Sequence, residues 1–369
     1  MSATELAELT AALVRAESVN PSLDPAGSGE APAVRVAAEW AASQGLRVEV
    51  EELGSTRANL LVHGGRPGGR TVMLLGHLDT VGGAAMADPF AGAVRAGRVY
   101  GRGAYDMKGA VAAALVAARD LDRDGLGGSV VVACAADEEY ASLGAERLVA
   151  RGPRPDHVVV CEPTDERLCV AHRGFVGFEI EVHGRAAHGS RPDLGVDAIA
   201  ATGVVLMRLE QLSRTLLAGE PHPLLGTPSV HASLISGGQE FSSYPERCLL
   251  QGERRTLPGE TDELVTAEVT ALAAGVEAST KLVFSRPPLE TDPAAKVVRA
   301  VARASRATSL EGVPFWTDGA LFGAAGFPTV VYGPRGSGAH AAEEWVEVES
   351  LARCATVYAE AVRLLARPG

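Results

Sequence analysis

The sequence predicts an α/β protein with a second, α+β unit inserted into it. Three observations carry that prediction. Apolar strand patterns alternate with helical patterns up to about residue 172, and such alternation builds layered α/β domains. Near residue 172 the character changes to half-exposed alternating strands accompanied by two long helical patterns. After Arg286-Pro287-Pro288 the helix–strand–helix order returns. The first domain is therefore expected to be discontinuous, built from residues 1–172 and 288–369, with residues 173–287 inserted.

The elements follow in order. Residues 2–17 read as an amphipathic helix opened by a Ser2/Glu5 capping box; without a cationic leading region, a signal peptide is not expected. Residues 18–30, with Pro21, Pro25 and several glycines, form a loop placed to lie near a site. A helix over 31–45 ends at Gly45, and short strands follow at 47–52, 58–63 and 71–76. Residues 107–122 form a small-residue helix. The run SVVVACA from Ser129 is a strand buried on both faces. A helix over 142–151 and a strand over 157–161 complete this part. In the inserted segment, strands are expected at 175–183, 229–236, 247–256 and 281–286, and helices at 195–215 and 260–277, the latter opened by Thr261. The returning part holds helices at 293–308 and 349–366 around a strand at 328–332.

Composition narrows the function. Of 369 residues, 46% are hydrophobic and 22% charged, as in an ordinary soluble globular protein. The net charge of −12 argues against nucleic acid, whose phosphates need a basic face. The alanine-rich stretch 109–118 is too short to span a bilayer. Five cysteines (Cys134, Cys161, Cys169, Cys248 and Cys354) lack CxxC spacing and read as buried reduced thiols, so a cytoplasmic protein is expected.

The stretch 71–109 organises the rest. His77 and Asp79, two apart at a strand end, share a face, so one can bind a metal and the other orient it. His77, Asp106, Glu139, Glu162 and His340 fall at five separate turns, mostly at the ends of strands, where α/β sheets place their ligands. Nitrogen and carboxylate donors without thiolates suit zinc, cobalt or manganese. Five donors suffice for two cations if one carboxylate bridges, and two cations can activate one water and polarise one carbonyl, as amide hydrolysis requires. Glu138 is then free to act as general base. Taken alone, Glu138-Glu139 would read as a solvated helix start.

The motifs GHLDTV (76–81), GRGAYDMKG (101–109), DEE (137–139), CEPT (161–164), RAAHGSRP (185–192) and GAH (338–340) together resemble the M20 family of metallopeptidases and deacylases, over nearly the whole chain. The resemblance implies a two-metal aminopeptidase-like catalytic domain carrying an inserted ferredoxin-like lid and dimerisation domain, hence a homodimer. It implies that His77, Asp106 and Glu162 hold one cation and that Asp106, Glu139 and His340 hold the other, zinc first among the candidates. It implies that Asp79 orients His77, that Glu138 moves the proton, and that a non-proline cis peptide follows Asp106. His188 is implied as a donor to the developing oxyanion. Recognition of a substrate carboxylate favours arginine; Arg255 matches the family's lid arginine, and Arg335 and Arg191 are further candidates, with Arg173.

The implied reaction is hydrolysis of the amide of an N-acyl amino acid, of deacetylase type, with a desuccinylase or a carboxypeptidase or dipeptidase as the alternatives. A non-catalytic scaffold would be expected to have lost Glu138 or a ligand, and all are present. A serine hydrolase would need a G-x-S-x-G elbow, which the chain lacks.

Overall fold

The computed structural model describes residues 2–66, 68–83 and 86–367. The chain folds into two compact units: Met1–Val170, Glu290–Gly312 and Thr317–Gly369 form the first, and Ala171–Leu289 with Val313–Trp316 the second. Residues 313–316, which the sequence reading assigns to the returning part, group with the inserted unit. The indole of Trp316 explains this: Nε1 donates to the Pro287 carbonyl at 2.9 Å, and the ring stands edge-on to Phe175.

The first unit is built on a sheet of nine strands among the described residues. Its order is Arg47–Glu52, Ala58–Gly65, Ser129–Ala135, Thr71–His77, His157–Val160, Thr329–Val331, Cys169–His172 and Leu289–Glu290, with Glu311–Val313 paired to Cys169–His172. The four strands Ser129–Ala135, Thr71–His77, His157–Val160 and Thr329–Val331 run parallel. They read as continuous apolar runs because helices cover both faces. Val72 and Leu74 enter one face, among the helices Ala3–Arg15, Gly109–Arg123, Lys296–Ser305 and Val348–Leu365. Met73 and Leu75 alternate to the other face, where Leu143–Arg151 and Gly319–Ala324 pack. The helix Gly109–Arg123 is buried almost all round, and its alanines let it approach both the sheet and the helix Val348–Leu365.

Two local features depart from the sequence reading. Ser2 makes no side-chain cap bond, and the Glu5 side chain pairs with Arg119 instead of closing the capping box. A small antiparallel sheet, ordered Gly336–Ser337, Trp345–Glu347, Arg98–Tyr100 and Ala93–Arg95, forms from segments that no apolar run announces. It joins the stretch before Asp106 to the stretch around His340.

The second unit is a four-stranded antiparallel sheet, ordered Ser229–Gly237, Arg247–Thr256, Gly174–His183 and Ala278–Arg286. The helices Ala198–Leu217 and Asp262–Leu272 cover one face. Val176, Phe178, Ile180 and Val182 alternate into a core with Val205, Leu209, Val265 and Val269. Thr261 caps its helix as expected, accepting from the Leu264 N–H. All five cysteines are free and buried. Among the described residues no helix is long and apolar enough to cross a membrane.

Candidate metal centre

The parallel strands deliver their polar residues to one edge. His77 is the last residue of Thr71–His77; Glu138 and Glu139 follow Ser129–Ala135; Glu162 follows His157–Val160; His340 lies beyond Thr329–Val331. This is the carboxyl end of the sheet, where open α/β sheets bind ligands. Asp106 arrives from a kinked turn, Ala104–Lys108, in which Asp106 and Met107 leave helical dihedrals before the helix Gly109–Arg123. The Asp106–Met107 peptide is cis.

The donor atoms converge. His77 Nε2 stands 3.3 Å from Asp106 Oδ1, 3.4 Å from Glu162 Oε1 and 3.8 Å from Glu138 Oε2. His340 Nε2 stands 3.5 Å from Asp106 Oδ2 and 3.1 Å from Glu139 Oε2. The two oxygens of one carboxylate thus face two different imidazoles. Donor atoms of His77, Asp106 and Glu139, and separately of His77, Glu138 and Glu162, lie within 4.8 Å of one another.

Carboxylates outnumber imidazoles in this cluster. Burial pushes the Glu162 carboxyl up to about 7 and Glu138 well above its ordinary range. Burial works the same way on Asp106, but His340 and His77 outweigh it and hold that carboxyl below the usual range. Hydrogen bonds to Asp106 and Glu139 push His340 up to about 10. Four convergent carboxylates against two imidazoles fit divalent cations, and the nitrogen–oxygen donor set without thiolate fits zinc, cobalt or manganese.

A buried network stands behind the donors. Asp79 is expected to orient His77, and two of its groups lie against the ring. Its backbone carbonyl is 3.0 Å from His77 Nδ1; a carbonyl only accepts, so Nδ1 carries the proton and Nε2 is left facing the carboxylates. Asp79 Oδ1 stands farther off, 3.4 Å from the same nitrogen. The carboxylate mainly accepts the backbone N–H groups of Glu138 and Glu139, at 3.2 and 3.1 Å, and the Asn20 amide at 2.8 Å. Asn20 also reaches Asp137, as does Arg57 at 2.6 Å. The sequence reading missed Asn20 and Arg57. The one available signal was the Pro/Gly loop 18–30, which is tied to the His77–Thr80 segment through Ser18 and Asn20.

The remaining predicted residues are not part of this cluster. His188 is exposed in the second unit, 2.8 Å from Ser190 Oγ. Arg255, also in the second unit, pairs with Glu253 at 2.6 Å and lies over the Phe175 ring. Its neighbour Arg254 is the buried one, forked between Glu260 and Glu268. Arg191 is exposed and held by both oxygens of Asp193. Arg335 lies in the first unit, 3.7 Å from Glu166. Arg173 donates to the Leu225 carbonyl.

Fold and cluster together define a class: α/β proteins that gather carboxylates and imidazoles for divalent cations at the carboxyl edge of a parallel sheet. The chain belongs to peptidase family M20/M25/M40, whose family model matches residues 73–364, and it is a hydrolase of that family. It is 35% identical over 327 residues to an acetylornithine deacetylase of Myxococcus xanthus, with 85% of each chain covered. Among solved structures it is similar to an aminopeptidase of Bacillus cereus (TM-score 0.80, 18% identity, 100% of each chain). It is also similar to a dinuclear metal-binding M20 peptidase of Bacillus subtilis (TM-score 0.74, 17% identity, 99% of this chain and 98% of that one).

Proposed function

We propose that this protein is a two-metal amidohydrolase that removes the acyl group, acetyl first, from an N-acyl amino acid. The observation that carries the reading is the Asp106 carboxylate, with one oxygen 3.3 Å from His77 Nε2, which also faces Glu162, and the other 3.5 Å from His340 Nε2, which also faces Glu139. His77, Asp106 and Glu162 are assigned to one cation and Asp106, Glu139 and His340 to the other, zinc before cobalt or manganese. When bound, the cations supply Lewis acidity toward the amide carbonyl and ease deprotonation of a water.

Glu138 takes the proton from that water and returns it to the leaving amine. Its burial favours the protonated form and suits it to carry a proton between the two steps. Asp79 holds the amides of Glu138 and Glu139, and so the direction of both side chains. His188 is assigned as a donor to the developing oxyanion, and Arg255, Arg335 and Arg191 as the substrate-carboxylate candidates. In this reading residues 1–172 and 288–369 are the catalytic domain and 173–287 a lid through which the protein dimerises. Sedimentation at micromolar concentration tests the dimer, and a monomer would refute it. A cytoplasmic location is part of the reading, supported by five free buried cysteines.

The relatives named acetylornithine deacetylase support the N-acetyl substrate class. The test is steady-state hydrolysis of N-acetyl, N-succinyl and N-formyl amino acids and dipeptides, with zinc, cobalt or manganese. N-acetyl amino acids are expected to lead. Glu138→Ala is expected to lower kcat by about 10²–10⁴-fold while two cations remain bound. A lead by N-succinyl substrates or dipeptides would replace the acetyl assignment; no turnover at all with both cations bound would refute the enzyme reading.

A further inference from the structure

Two segments far apart in the chain meet at one buried carboxylate. Glu344 lies four residues beyond His340 and is 1% exposed. Its Oε2 accepts from Arg102 Nη1 at 2.6 Å and from the Gly103 N–H at 3.1 Å. Its Oε1 accepts the N–H groups of Tyr105 at 2.9 Å and of Asp106 at 3.1 Å. Arg102, 3% exposed, closes the clasp: Nη2 donates to the Ala341 carbonyl at 2.9 Å and Nε to the Gly82 carbonyl at 3.3 Å. The strand Trp345–Glu347 then pairs with Arg98–Tyr100 alongside.

Packing alone does not call for a charge here. A buried ion pair contributes no more to stability than apolar side chains of similar volume often do. What the carboxylate does, and an apolar side chain cannot, is hold three amides of the turn that ends in Asp106. Those amides set the direction of the Asp106 carboxylate, whose oxygens face His77 and His340. The same clasp ties that turn to the loop carrying His340.

We propose that Glu344 is a positioning residue for the candidate metal centre, acting through Asp106 and His340, and that it governs chiefly the cation assigned to Asp106, Glu139 and His340. The inference rests on the two-cation reading above. The inequality follows from where the donors sit. The segments that Glu344 joins carry two of that cation's three donors. The other cation shares only Asp106 and keeps His77 and Glu162 at the ends of sheet strands.

The test is titration of the metal-free protein with zinc alone and with cobalt alone, by calorimetry and by cobalt absorbance, together with thermal unfolding. The wild type is expected to take two cations. Glu344→Gln is expected to keep one affinity unchanged and to weaken the other about 10–100-fold, the usual effect of removing a residue that supports a ligand. The melting temperature of the metal-free protein should stay close to that of the wild type. Unchanged affinities, or equal losses at both sites, overturn the proposal. If Glu344→Gln does not fold, Arg102→Lys takes its place; it removes the fork to Ala341 and is expected to give the same unequal loss, smaller in size. An equal loss or none in that variant overturns the proposal as well. A wild type that binds fewer than two cations refutes the two-cation reading and this inference with it, whereas two in the wild type and two unchanged in the variant refute this inference alone.

Discussion

His172 shows what burial does to a single imidazole. Its Nδ1 donates to the Arg173 carbonyl at 2.9 Å, its ring stands edge-on to Trp316, and burial pushes its pKa down to about 4. The folded state therefore holds fewer protons than the unfolded one between pH 4 and about 6.5. The stability it contributes is fully present above about 6.5 and is lost as pH falls through that window. At pH 5 the loss is about 2 kcal/mol, and His172→Phe should flatten the pH dependence of urea unfolding of the metal-free protein by that much. At the same scale, residues of the cluster were legible where they stand as lone polar residues closing apolar runs, as His77 and Glu162 do. Neighbouring arginines were not. Arg254 and Arg255 alternate across one strand, and which of them turns inward depends on the helix Asp262–Leu272, whose Glu268 has no meaning until the unit has folded. Glu344 was equally hidden, one acidic residue beside Glu343 in an unremarkable loop.

At the scale of elements, the strand Thr71–His77 and the turn Ala104–Lys108 touch through a missing side chain. A Cβ on Gly76 would stand 2.8 Å from Met107 Cε and 3.1 Å from Val111 Cγ2. A side chain at this position must push the end of Met107, the residue after Asp106, aside and crowds Val111. Gly76→Val is expected to cost about 1–3 kcal/mol by overpacking and to weaken metal binding together with stability, because the residue after Asp106 is the one displaced. Calorimetric unfolding and metal titration of the same preparation check both; lost stability with intact metal affinity would separate the two elements. The parallel strands and long helices were legible because their apolar periods are strong. The small sheet of Gly336–Ser337, Trp345–Glu347, Arg98–Tyr100 and Ala93–Arg95 was not, since two- and three-residue strands carry no period.

For the molecule as a whole, cation binding and folding are linked. A cation held only by the folded state at about 100 times its dissociation constant adds about 2.7 kcal/mol to stability. Excess chelator should therefore lower the melting temperature and added zinc restore it, and Asp106→Asn should abolish most of that response. An identical melting curve with and without chelator in the wild type would remove the linkage. The discontinuity of the first unit was legible because strand–helix alternation resumes after Pro288; the grouping of Val313–Trp316 with the second unit was not, because it depends on where one indole docks. The same discontinuity orders events on the ribosome. His77, Asp106, Glu139 and Glu162 are translated first, the whole of Ala171–Leu289 next, and His340 and Glu344 only afterwards. Until the helix Val348–Leu365 emerges, the alanine-rich helix Gly109–Arg123 also lacks the partner that covers it. On the two-cation assignment proposed above, a nascent chain that has folded its inserted unit still lacks part of its ligand set, and metal loading would wait for the last part of the message to be read.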